Sequence, residues 1–211
     1  MMKHFSVLFA ILCGSTLAMA QKTDVAFVTG ESFVNDYKVS FTGTPTTTNI
    51  IRTNSHLFLE GTFAVRLLNA RLVSLHLEVP VVGIPANGHS FTTIPTINFL
   101  SKTTVNTSAV FVTPALRLKI LPSAPISPWA SIGGGWARFS SELAPTTNRG
   151  ALEFGGGLDF KTRLPLLGFR AEVRDFVTGD PDFGFVNVLS QTNGVLHRHN
   201  IMVGGGIVLR L

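Results

Sequence analysis

The segment GFRAEVRDF at 168–176 puts Arg170, Glu172 and Arg174 on every second position, with Phe169, Ala171 and Val173 between them. A period of two is the signature of an extended strand, so one face of this strand is ionic and the other apolar. The alternation recurs along the chain and limits its fold more than any other feature. It predicts strands at about 24–33, 55–67, 72–82, 109–120, 129–139, 150–162, 168–177 and 198–211. Leu57, Leu59, Phe63, Val65 and Leu67 oppose Glu60 and Arg66; Val73, Leu75 and Leu77 oppose His76 and Glu78. Val110, Val112, Leu116 and Leu118 oppose Arg117 and Lys119, and Leu152, Phe154, Leu158 and Phe160 oppose Glu153 and Asp159.

The connections carry a second pattern. Longer segments (34–54, 83–108, 140–149, 178–197) follow the first, third, fifth and seventh strands, and only short links follow the second, fourth and sixth. Strands of about ten residues with strictly alternating long and short connections suit a barrel tilted across a bilayer. Only 14% of residues are charged and 45% are hydrophobic, yet after residue 20 no apolar run is long enough to cross as a helix. A membrane chain without helices must close into a barrel, because only closure satisfies every backbone group in lipid. The threonine-rich long loops favour extended backbone and predict hairpins above the membrane.

The N-terminus predicts export. Lys3 and His4 precede the apolar run Phe5 to Leu12, and Ala18-Met19-Ala20 supplies small residues for cleavage before Gln21. Residues 1–20 are therefore read as a signal peptide and 21–211 as one barrel domain. The single cysteine, Cys13, falls in the leader, so no disulfide holds the domain. The 17 basic and 12 acidic residues are scattered without a basic run, which argues against nucleic acid as a partner.

Alternation alone does not say which face looks outward. A lipocalin-like secreted carrier would turn the apolar face inward, and a membrane barrel the ionic face. The loop asymmetry, the leader and the final strand HNIMVGGGIVLRL favour the membrane assignment. In this layout the chain resembles the small eight-stranded, up-and-down bacterial outer-membrane β-barrels of the OmpA and OmpX type. The resemblance implies an all-β transmembrane barrel in the outer membrane of a Gram-negative-type bacterium, with both termini in the periplasm. It implies contact with outer-membrane lipids, lipopolysaccharide and the barrel assembly machinery, a monomer, and loops open to an extracellular ligand. Trp129, Trp136, Phe139, Phe169 and Phe176 would supply the interfacial aromatic belts, since the one tyrosine, Tyr37, falls in a loop.

Three glycine triplets, at 133–135, 155–157 and 204–206, lie inside strands, where glycine marks bending or close approach. Those beside strand 168–177 are expected to leave room for Arg170, Glu172 and Arg174. A hairpin turning near Leu164 to Leu166 would set Asp159 opposite Glu172. Glu60, Glu78 and Glu153 would then pair with Arg66, Arg117 and Arg210, because an isolated buried charge costs several kcal/mol. The expected result is a lumen closed by ion pairs.

Other chemistry is weaker. His76 and Glu78 share a face and with Glu60 could hold a metal, though membership of a polar network is the simpler reading. His197, Arg198 and His199 enter the last strand at its outer end, where they could meet lipopolysaccharide phosphates or form a polar rim. A lipid A deacylase-like enzyme is the rival class, but His199 stands where that family's pattern calls for serine, and Ser190 has no evident base. No catalytic residue, cofactor or metal is assigned.

Overall fold

The computed structural model describes residues 22–34, 37–41, 47–52, 55–94, 101–142, 145–164, 166–179 and 197–211. The expected leader 1–20 and Ser190 lie outside them. The strands are β1 (Thr23–Val34), β2 (Tyr37–Phe41), β3 (Thr47–Arg52), β4 (His56–Asn69), β5 (Val73–Ile94), β6 (Ser101–Val112), β7 (Ala115–Ile120), β8 (Ile126–Ser141), β9 (Thr147–Lys161), β10 (Leu167–Gly179) and β11 (His197–Arg210). All pairings are antiparallel. Around the wall β1 pairs β4, β4 pairs β5, β5 pairs β6 and β7, and these pair β8; β9, β10 and β11 follow. The ring closes where β11 returns to β1, from Asp24 opposite Arg210 to Val34 opposite Asn200. Closure leaves no open edge around the wall.

Eight wall strands result, because β6 and β7 are two halves of one. The break falls at Thr113 and Pro114, beside Pro80 of β5. Proline has no N–H for a ladder and normally keeps to edges. Here neighbouring groups bridge the gap: Thr113 N donates to Pro80 O (3.4 Å) and Gly134 N to Pro114 O (3.1 Å). The strand expected at 72–82 instead runs on to Ile94 as the long β5. Its outer part pairs β3 and β6, and β2 pairs β3, so the sheet continues past the barrel.

The polarity is inside out. Leu59, Leu152 and Phe169 are more than half exposed on the outer wall, while Glu78, Arg117, Glu153 and Asp159 are fully buried within. The lumen is filled in tiers. Towards the long loops Val28, Phe58, Val82, Phe111, Phe176 and Met202 make an apolar plug, with the Phe111 ring 4.9 Å from Phe176 and 5.7 Å edge-on from Phe139. Towards the start of β1, the end of β11 and the short turns the same inner face turns ionic. Two expected belt residues, Phe139 and Phe176, belong to the plug rather than to the outer surface, and Trp129 also points inward; parity places all three on the inner face. Trp136 and Phe169 do face outward.

Candidate functional site

The inward positions of β10, counted from its turn, are Gly168, Arg170, Glu172, Arg174, Phe176 and Thr178, all buried. Arg174 is the hub. Its Nε lies 3.2 Å from Glu172 and 3.3 Å from Glu60, and its Nη1 lies 3.0 Å from Glu78 and 2.5 Å from Glu153. Hydroxyls hold two of these carboxylates in place: Thr62 donates to Glu60 (2.5 Å) and Ser131 to Glu153 (2.9 Å). Arg117 joins Glu78 (3.0 Å) to Asp24 (3.2 Å). Arg170 grips Asp159 with Nε and Nη2 (2.8 and 3.2 Å), the two-pronged geometry that suits a guanidinium, and Lys119 reaches Asp159 at 2.5 Å. Through these shared partners β1, β4, β5, β7, β9 and β10 are tied across the barrel.

Trp129 of β8 sits among these cations. The guanidinium carbons of Arg170, Arg174 and Arg117 lie 5.0, 5.1 and 5.7 Å from its ring, within cation–π range. Gly157 makes the room: a Cβ there would overlap the Trp129 ring at 2.8 Å. A Cβ on Gly155 would overlap the Ser131 hydroxyl that holds Glu153, and one on Gly204 the Phe58 ring at 2.6 Å. The triplets therefore admit Trp129, Phe58 and the Ser131 hydroxyl, not the β10 charges expected beside them. Gly206 instead lets β11 approach β1, since a Cβ there would overlap the Phe27 carbonyl.

The structure brings together Glu60, Glu78, Arg117, Glu153, Asp159, Arg170, Glu172 and Arg174 of the expected set. It does not bring in Arg66 or Arg210. Glu60 lies six residues from Arg66, roughly 20 Å along a strand. Arg210 faces Asp24 in the β1–β11 ladder, but Asp24 turns to Arg117. The β9–β10 register is also two residues away from the expected one, with Asp159 opposite Arg170 and Glu172 opposite Gly157. Thr162 helps set it: its hydroxyl lies 2.7 Å from Leu167 O and 3.2 Å from Leu164 N, and Leu167 N donates to Leu164 O. Asp24, Lys119 and Trp129 were missed. Lys119 shares a face with Arg117, and Asp24 begins the first alternating run, so their inward aim was readable though their partners were not.

The outer-end basic trio splits by parity. His197 is exposed, and His199 faces outward with Nδ1 2.7 Å from Asp175 Oδ2. Arg198 points inward, 7% exposed, with its guanidinium 6.0 Å over the Phe139 ring, and so does not join the histidines in a contact outside. His76 lies 3.0 Å from the Ser74 hydroxyl, and no group of three metal-ligating side chains assembles among the described residues.

No protein-family model and no curated protein sequence matches the chain. Solved structures do. The outer membrane protein OprG from Pseudomonas aeruginosa aligns with a TM-score of 0.56 at 13% identity, covering 91% of this chain and 96% of that one. Ail, the attachment invasion locus protein of Yersinia pestis, solved with the heparin analogue sucrose octasulfate, aligns with a TM-score of 0.47 at 12% identity over 92% and 100%. Neisserial surface protein A aligns with a TM-score of 0.46 at 9% identity over 90% and 97%. At 13% identity the likeness to OprG speaks to fold alone, and it agrees with the closed ring, the inverted polarity and the alternating connections: this protein has the fold of a small eight-stranded outer-membrane β-barrel.

Proposed function

We propose that this protein is exported with its leader removed ahead of Gln21, inserted by the barrel assembly machinery, and resident as a monomer among outer-membrane lipids and lipopolysaccharide. Its role is structural or surface-interacting, through the segments beyond the barrel, and its lumen does not conduct. The observation that carries this reading is the filled interior, in which the Arg174 ion-pair layer and the Phe111 plug lie in series. In planar bilayers the purified barrel should give no large, steady conductance steps; porin-like steps would overturn the reading. Heat-modifiable gel mobility and resistance to carbonate extraction are the matching checks on membrane residence.

A lipid-modifying enzyme has less support. Among the described residues, outward-facing His199 has an acid beside it, Asp175, and no hydroxyl nucleophile joins that pair. Loss of lipid A acyl chains on overexpression would favour the enzyme.

A further inference from the structure

At the end of the barrel where β1 begins, β11 ends and the three short turns meet, the lumen opens into a cavity of about 590 Å³, lined among others by Lys22, Asp24, Arg66, Lys119, Lys161 and Arg210. This volume falls in the ~300–1,000 Å³ range of small-molecule sites. Its side-chain charge is mainly positive. Asp24 is engaged by Arg117, and Lys119 by Asp159. Among the described residues, none of Lys22, Arg66, Lys161 and Arg210 forms an ion pair with an acidic side chain. Four unneutralised cations thus share one cavity.

Two of them also keep an unpaired donor. Arg66 and Arg210 line the cavity through their other atoms, while Arg66 Nε and Arg210 Nη2 are closed off from solvent and have no protein acceptor. A buried donor without a partner costs free energy, and a guanidinium more than most. The cations are also fixed from behind. Arg66 N donates to Lys22 O (3.2 Å), Lys161 N to Pro125 O (2.8 Å) and Arg210 N to Leu166 O (2.9 Å). The β4–β5 ladder shifts register between Arg66 and Leu68, a bulge of the kind that re-aims a side chain at a barrel rim. Gly168 clears a path for Arg210, whose Nη2 lies 2.7 Å from where a Cβ would stand. Backbone anchors, a bulge and a missing side chain together hold cationic groups around one space.

We propose that this vestibule binds a phosphate group, with Arg66 and Arg210 as the principal donors and Lys161 and Lys22 completing the charge. Guanidinium forks match tetrahedral phosphate oxygens, and ammonium groups add charge without fixed geometry. The phosphate can belong to a soluble molecule or to a lipid headgroup at the barrel mouth.

The test uses the folded barrel in nonionic maltoside micelles. Inorganic pyrophosphate is titrated by calorimetry, and phosphatidic acid doped into the micelles is followed by native mass spectrometry. Wild type should bind one pyrophosphate per barrel, more weakly as salt rises, and Arg66→Gln/Arg210→Gln should weaken this by about tenfold or more. Retention of phosphatidic acid without pyrophosphate, lost in the same double variant, would support the site and name a lipid as its source. Binding of neither probe, or equal binding by wild type and double variant, would overturn it. Heat-modifiable mobility checks that the double variant folds. If it does not, Lys161→Gln stands in, with a weakening of several-fold expected and unchanged affinity counting against the site.

Discussion

Two tiers of one lumen solve the same packing problem by opposite means. Around Arg174 and Trp129 the interior is charged, and every carboxylate depends on the placement of a particular cation. Around Phe111 it is apolar, and contacts are non-directional. The plug gains from removing hydrocarbon from water wherever volumes fit. The ionic tier gains only if geometry repays the desolvation of each charge, so its worth shows when a partner is lost. Six acidic side chains (Asp24, Glu60, Glu78, Glu153, Asp159 and Glu172) meet four basic ones (Arg117, Lys119, Arg170 and Arg174) in this tier. Loss of one cation therefore leaves buried charge uncompensated, whereas loss of one plug side chain leaves only a cavity.

The comparison breaks or sharpens most clearly at the hub. Arg174→Met leaves four carboxylates facing one another, and stability should fall by about 3–5 kcal/mol in urea unfolding followed by gel mobility. A loss below ~1 kcal/mol, the scale of an exposed pair, would show that the tier is not organised around Arg174. Phe111→Ala, read in the same assay, should cost about 3–5 kcal/mol through the cavity it opens. Conservative changes separate the mechanisms better. Arg174→Lys keeps the charge but not the fork, and should still cost about 2 kcal/mol. Trp129→Leu removes a ring shared by three guanidiniums and should cost about 1–2 kcal/mol. Phe111→Leu keeps most of the apolar volume and should cost only about 1 kcal/mol. Equal losses for Arg174→Lys and Phe111→Leu would erase the proposed contrast between directional and non-directional packing.

Much of the architecture was legible because period two is a local property. The alternation at 168–176 identified β10, and the long and short connections gave the up-and-down order before any pairing was known. The site was half legible. Arg170, Glu172 and Arg174 were readable as inward residues, but their partners were not, because partners depend on register. A two-residue difference at the Thr162 turn moved Asp159 from Glu172 to Arg170. The aromatic residues misled for a related reason: Trp129, Phe139 and Phe176 suit a membrane interface by composition, and parity overrules composition. Arg66 and Arg210 share the inner face with the hub's carboxylates, but face says nothing of height along the axis.

The sequence by itself determined that the chain alternates, how many wall strands it makes and in what order they follow, because each of these is written in neighbouring residues. Tertiary structure decided which charges meet, where the lumen changes from ionic to apolar, and that four cations are left together at one mouth. Those are relations between strands distant in the chain, set only when the ring closes and fixes every register at once.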